Sequence, residues 1–404
     1  MKILVLNCGS SSIKYQLLDM ETESVLAIGK VERVGMEDAI FEYKGAGEKI
    51  KEIGTILDHT AGIRKVLEAL TDPVHGVIRA PEEIVAVGHR VVHGGEAFVN
   101  SVIVDDEVKR TLRELFDLAP LHNPANLTGI LAAEAALPHA VNVAVFDTAF
   151  HATMPRKAFL YALPYAMYKR HKVRRYGFHG TSHKYVSQRA AVLLGRPLEE
   201  LNLITCHLGN GSSVTAVQGG KSVDTSMGFT PLEGLIMGTR AGDLDPGIIP
   251  YIMAREEIGI SEVMSMLNKH SGLLGISGIS SDMRQIEEEM DKGDPRAIET
   301  FEMLEYRLRK YIGAYAAVLG RVDGIVFTGG IGENSPRLRK AVCENLGFLG
   351  VTFDEEANNC RGVERIISGP DAKVAVMVIP TNEELMIARE TAELIKNRAA
   401  AARN

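Results

Sequence analysis

Apolar positions along the chain gather into short unbroken runs, separated by longer segments in which they recur every third or fourth residue. Residues 3–6 (ILVL) are such a run; a Gly/Ser turn follows, and residues 13–18 resume with strand character, which together predict a hairpin. Further runs occupy residues 84–87, ending at His89-Arg90, and 141–146, ending at Asp147, with helix-like segments at 106–118 and 126–136. Strands followed by helices predict an α/β domain.

The same order recurs in the second half. Residues 203–207 predict a strand, a Gly/Asn/Ser turn follows, and a return strand starts at residues 214–217. Leu6-Asn7-Cys8-Gly9-Ser10-Ser11-Ser12 and Leu208-Gly209-Asn210-Gly211-Ser212-Ser213 both read as strand, small polar turn, strand. The pairing predicts a duplicated architecture facing a shared cleft; the alternative is two ordinary hairpins with default turn formers at their tips. The longest helix is predicted at Pro295–Leu319, where Ala297, Phe301, Leu304, Leu308, Tyr311, Tyr315 and Val318 are spaced by three and four. Only residues 397–404 read as a frayed tail.

Composition narrows the function classes. A chain of 404 residues exceeds one typical domain of ~150, which suggests two or three. A net charge of −7, spread through the chain, argues against a nucleic-acid binder, so an anionic ligand needs a local cationic site. Cys8, Cys206, Cys343 and Cys360 lie far apart without CxxC spacing and read as reduced thiols of a cytoplasmic protein. The first apolar run is too short for a signal peptide or membrane span, so no membrane partner is expected. Glycine is the outlier: 25 of 39 fall between Gly177 and Gly350, where backbone must bend sharply or approach a ligand closely.

Converging backbone N–H groups hold phosphates. The P-loop spacing is absent, since Gly220-Lys221-Ser222 has the right ending but Thr215 stands where its first glycine belongs. IVFTGGIGENS, residues 325–335, runs from an apolar strand into a Gly-rich turn, with a helix starting near Pro336. This partly satisfies a dinucleotide-binding fingerprint with Asp354 as ribose ligand, which would make a dehydrogenase, but Ser335 replaces the third glycine. The other reading packs the turn against the adenosine of a mononucleotide.

LNCGSSSIK at residues 6–14, YGFHGTSH at 176–183, HLGNGSS at 207–213 and GGIGEN at Gly329–Asn334 together resemble the acetokinase family of carboxylate kinases, within the superfamily of sugar kinases, Hsp70 and actin. The resemblance extends from Lys2 to TNEE at 381–384. It implies an α/β fold of two duplicated actin-like (ribonuclease H-like, βββαβαβα) domains with ATP in the cleft between them. The first domain would span residues 1–149 plus 382–404, its last helix returning to it, and the second, nucleotide-binding domain residues 150–381. The implied reaction is reversible, direct in-line phosphoryl transfer between ATP and acetate, giving acetyl phosphate and ADP. It uses Mg²⁺, or Mn²⁺ in its place, in a cytoplasmic homodimer. Propionate kinase is left open, as more remotely is an Hsp70- or actin-like ATPase.

Such a reaction needs positive charge rather than a base, because a carboxylate nucleophile is already ionised at pH 7. Arg90, at a strand end, and Arg240, a bulky cation amid small residues, fit that need on their own chemistry; their bland readings are a surface arginine and a partner for Asp243 or Asp245. By resemblance Arg90 holds acetate or phosphoryl oxygens, Arg240 stabilises the transition state, and His179 donates to the transferring group, with His207 and His122 as weaker candidates. His183 reads as structural, and Thr181 or Ser182 as the cap of the helix that follows His179. The residue matching Asp147 is essential in the family and often assigned as an acid/base; an ionised nucleophile favours instead a role in orienting Arg90, Arg240 or a metal-bound water. Asn7 and Glu383 match metal positions, while Glu384 fits a capping box with Thr381. Lys14, His207, Leu208, Gly209, Asn210, Gly211, Asp282, Met283, Arg284, Gly330, Ile331, Gly332, Glu333 and Asn334 match nucleotide positions; Asp282 also reads as a helix-start residue. Val92, Leu121, Phe178 and Pro231 match the positions near the acetyl methyl.

Overall fold

In the computed structural model, which describes residues 1–47 and 49–401, the chain divides into two compact units. One comprises Met1–Phe150 with the chain from Asn382 onward, the other His151–Thr381.

The first unit is built on an eight-stranded sheet. Its strands are β1 (Lys2–Gly9), β2 (Ser12–Asp19), β3 (Ser24–Glu32), β4 (Ala39–Lys44), β5 (Ile50–Gly54), β6 (Ile84–Val91), β7 (Val102–Ile103) and β8 (Val141–Phe146), in the order β5-β4-β3-β2-β1-β6-β8-β7. β1 runs antiparallel to β2 and parallel to β6, which is parallel to β8. The unbroken ILVL run is explained by its central place, with both faces covered. Leu4 and Leu6 enter a core with Ile63, Val66 and Ala133. The last helix, Glu383–Ala401, lies against β6 so closely that a β carbon on Gly88 would sit 2.6 Å from Thr391 Oγ1 and 2.8 Å from Ile387 Cγ2.

The second unit has a six-stranded sheet of β9 (Asn202–Leu208), β10 (Ser212–Gln218), β11 (Lys221–Thr225), β12 (Gly324–Thr328), β13 (Arg365–Ile366) and β14 (Ala375–Val378), in the order β11-β10-β9-β12-β14-β13. β9 is antiparallel to β10 and parallel to β12, which is parallel to β14. The Pro295–Leu319 helix forms as its period predicts, capped by Asp294, and buries Phe301, Leu304, Leu308, Ile312 and Tyr315 against this sheet's core. Val318, assigned by spacing to that stripe, is exposed.

Some local expectations are overturned. GGIGEN is a short helix, Gly329–Asn334, and not a turn; Gly329 turns the chain into it at φ +76°. Thr181 and Ser182 lie inside the helix Gly180–Leu194, whose cap position is His179 itself at φ 57°. The last helix is capped by Asn382, whose Oδ1 accepts from the Leu385 N–H at 3.0 Å, so no Thr381–Glu384 capping box forms. That helix persists to Ala401, which removes the expected fraying at residues 397–401; residues 402–404 lie outside the described residues. No helix among the described residues is long and apolar enough to cross a membrane.

Candidate active site

In the first unit, Arg90 lies within β6 and Asp147 follows β8, the neighbouring parallel strand. Their side chains meet in a fork: Arg90 Nε donates to Asp147 Oδ1 at 3.0 Å and Nη2 to Oδ2 at 2.7 Å. The Asp147 side chain is 4% exposed and that of Arg90 24%, so the fork is largely withdrawn from water and its geometry is fixed. Asp147, followed by Glu383 and Glu384, raises the affinity of Arg90 for its proton against the effect of burial. Burial pushes the Glu383 carboxyl up to about 7; Asp147 and Glu384 act in the same direction, while Arg90 and Lys14 oppose it. Asn7 and Lys14 face each other across the β1–β2 register, just before the Gly/Ser turn. Val92 is buried just beyond β6, whereas Leu121 is 74% exposed.

In the second unit a different kind of site forms around the Gly209–Gly211 turn. A β carbon on Gly211 would lie 3.2 Å from His179 Nε2 and 3.6 Å from Arg240 Nη1, so the turn, the imidazole and the guanidinium converge. Glycine here leaves room for something else beside the imidazole and the guanidinium. His179 and His207 stack with ring centroids 4.2 Å apart. Arg240 Nη1 donates to the Pro231 carbonyl at 3.2 Å, and burial lowers its proton affinity. Neither suggested acid pairs with it: Asp243 accepts from Tyr311 Oη and the Gly234 N–H, and Asp245 accepts from the Gly247 N–H. Among the described residues no carboxylate forms an ion pair with Arg240. Pro231 therefore meets the site through its carbonyl, and Phe178 is buried beside His179.

A cleft of about 640 Å³ adjoins this turn. It is lined by Gly209, Asn210, Asp282, Met283, Arg284, Gly330, Ile331 and Asn334, eight of the residues matched to nucleotide positions. Leu208 and Gly332 are buried, and Glu333 accepts from the Gly329 and Thr381 N–H groups, so their side of the loop supports the cleft from behind. Asp282 caps Met283–Asp291 through the Arg284 N–H and pairs with the Arg284 guanidinium. Asp354 caps a short helix by accepting from the Ala357 N–H, and β12 sits in a sheet that mixes parallel and antiparallel strands, which removes the dinucleotide-binding reading.

The sequence reading passed over several residues here. Ser281, Glu287, Ser335 and Arg361 also line the cleft. Arg339, fully buried, donates to the carbonyls of Gly332, Asn358 and Cys360 and pins the Gly-rich helix from below. Ser213 bridges His179 and His183 at 2.9 and 2.7 Å. Ser213, as the last residue of HLGNGSS, and Ser335, as the last of IVFTGGIGENS, carried a signal.

Comparison with known proteins identifies the family. The acetokinase family model matches residues 2–389. An acetate kinase of Symbiobacterium thermophilum is 94% identical over 98% of this chain and 100% of its own length, and one of Halothermothrix orenii 57% identical over the same shares. The crystal structure of Porphyromonas gingivalis acetate kinase matches with a TM-score of 0.95 at 49% identity, covering 98% of this chain and 99% of that one. A propionate kinase from Francisella tularensis matches with a TM-score of 0.90 at 43% identity, covering 97% and 99%. With its α/β architecture of two sheets and a match running almost from end to end, the chain belongs to the acetokinase family.

Proposed function

We propose that the chain transfers a phosphoryl group reversibly between ATP and acetate. The observation that carries this reading is Arg240: a half-buried guanidinium with no paired carboxylate among the described residues, beside His179 and a glycine turn, is a positive charge kept available for an anion. In the forward direction a carboxylate oxygen of acetate bonds to the γ-phosphorus as the bond from that phosphorus to the ADP oxygen breaks. No proton moves in that step, so no general base is required. His179 and Arg240 are assigned to the phosphoryl oxygens, and Arg90 to the carboxylate. Asp147 holds the Arg90 fork in one orientation, as its paired bonds support, rather than taking a proton. The 640 Å³ cleft is assigned to the nucleotide, and Val92, Leu121, Phe178 and Pro231 to the acetyl end.

The donor chemistry fits Mg²⁺. Asn7 and Glu383 offer hard oxygen ligands, and the Glu383 carboxyl is buried near Asp147 and Glu384, where a divalent cation relieves the repulsion. Among the described residues no cluster of three or more His, Cys, Asp or Glu could cage a metal, in keeping with an ion held chiefly by phosphate and water. When bound, Mg²⁺ would neutralise charge on the β- and γ-phosphate oxygens. A homodimer acting in the cytoplasm rests on the family resemblance, supported for the compartment by four buried free cysteines.

A coupled assay of ADP formation with acetate, propionate and butyrate tests the reading. Acetate-dependent turnover exceeding that with propionate is expected. ADP release independent of any carboxylate would overturn it in favour of an ATPase, and a higher kcat/KM with propionate would move the chain to the activity named for its Francisella relative.

A further inference from the structure

A buried run of hydrogen bonds in the second unit bears on which nitrogen of His179 carries the proton. Thr205 Oγ1 lies 2.7 Å from His183 Nδ1, His183 Nε2 lies 2.7 Å from Ser213 Oγ, and Ser213 Oγ lies 2.9 Å from His179 Nδ1. Thr205, His183 and Ser213 are all fully buried. Burial holds the His183 ring neutral, with one nitrogen donating and the other accepting.

Such a run can be polarised in two senses. In one, the Thr205 hydroxyl donates to His183 Nδ1, His183 Nε2–H donates to Ser213 Oγ, and the Ser213 hydroxyl donates to His179 Nδ1. The proton of neutral His179 is then on Nε2. In the other sense every bond reverses, His179 is protonated on Nδ1, and the hydroxyl hydrogen of Thr205 has no acceptor, because His183 is the only hydrogen-bond partner of that oxygen among the described residues. A buried hydroxyl left without an acceptor is penalised enough to bias the two senses by roughly tenfold or more.

We infer that Thr205, His183 and Ser213 are positioning residues that fix neutral His179 as its Nε2–H tautomer. Nε2 is the nitrogen next to the space left by Gly211, so the ring presents a donor to that space without first taking up a second proton. The catalytic consequence, a hydrogen bond to a phosphoryl oxygen in transfer, rests on the proposed reaction; the tautomer does not.

The test uses the full-length protein labelled with ¹⁵N-histidine. Two-bond ¹H–¹⁵N correlation spectra distinguish protonated from bare ring nitrogens, and His179→Gln assigns the His179 signals. The wild-type protein should show His179 as Nε2–H. Thr205→Val and Ser213→Ala should each shift it towards Nδ1–H and lower kcat by about twofold, with the KM for ATP unchanged. Thr205→Ser, which keeps the hydroxyl, should restore both and control for folding. An Nδ1–H tautomer in the wild type, or an unchanged tautomer in both variants, overturns the relay. A shifted tautomer with unchanged kcat overturns its catalytic role. Absence of acetate-dependent ADP formation in the wild type would strike the proposed reaction instead, and would leave the spectra to decide the tautomer.

Discussion

The two units carry the same central strand order, with two strands joined by successive antiparallel pairings on one side of β1 or β9 and two joined by parallel pairings on the other. They use their strand ends in different ways. In the first, β6 and the chain after β8 present charged side chains locked together as Arg90 and Asp147. In the second, the ends of β9 and β12 present backbone, at Gly209–Gly211 and at Gly329, and the cation Arg240 arrives from a loop without a counter-ion. A repeated frame fixes where strand ends fall but leaves their chemistry free. One half holds an oriented ion pair, the other an unneutralised charge beside open backbone.

The arginines give the largest contrast. Arg90→Ala and Arg240→Ala should each lower kcat by about 10²–10³, with ATP affinity nearly unchanged in a binding titration. Their effects on stability should diverge. Arg90→Ala strands the buried Asp147 carboxylate and should lower the unfolding free energy by ~3–5 kcal/mol in urea, whereas Arg240→Ala removes a half-buried charge with no ion-pair partner among the described residues and should be neutral or stabilising. Equal stability losses would erase the contrast.

The turn glycines come next. A β carbon on Gly211 presses His179 Nε2 at 3.2 Å, whereas one on Gly9 meets only the rotatable Ser12 hydroxyl at 2.9 Å. Gly211→Ala should therefore lower kcat about tenfold, and Gly9→Ala no more than about twofold, in the same coupled assay.

Acid should distinguish the halves less sharply. Burial lowers His89 in the first unit and His151 in the second to about 4, and His183 in the second well below its usual value. Their neutral folded forms are favoured above the unfolded value of about 6.5, and stability is lost as pH falls from there towards the folded values. Between pH 7.5 and 5.5 each should remove ~1 kcal/mol, read as a falling urea midpoint. His89→Asn should diminish that slope by one histidine's share. The smallest effect is expected at Val92, where Val92→Ala should raise the propionate-to-acetate ratio of kcat/KM by about tenfold or less.

Much of the frame was legible because local physics dictated it. ILVL read as a strand, its central place being added by the fold, and the period of Pro295–Leu319 could only be satisfied by a long helix with one face buried. β3, β4 and β5 were missed because their outer faces meet water, so no continuous apolar run marks them. GGIGEN was read as a turn since glycine favours turns; Arg339, in the next helix and seven residues beyond Gly332, bonds the Gly332 carbonyl and is itself held by the carbonyls of Asn358 and Cys360, contacts that no local pattern encodes. For the candidate site, motif matching supplied residue identities without arrangement. Asp147 could have oriented Arg90 or Arg240, and only the adjacency of β6 and β8 selects Arg90. Ser213 stood inside a recognised motif yet had no assigned part, because its importance comes from the two imidazoles that the fold brings to its hydroxyl.

The return of the last helix has a consequence in time. Synthesis delivers β1 before the whole of the second unit and Glu383–Ala401 after it. Until that helix emerges, the strip of sheet around Gly88 that Ile387 and Thr391 cover has nothing over it, so the nascent first unit waits with apolar surface open while the second, contiguous in sequence, can complete itself. The earlier of the two units is therefore the later to be sealed, and the interval lasts as long as the ribosome takes to translate the intervening unit.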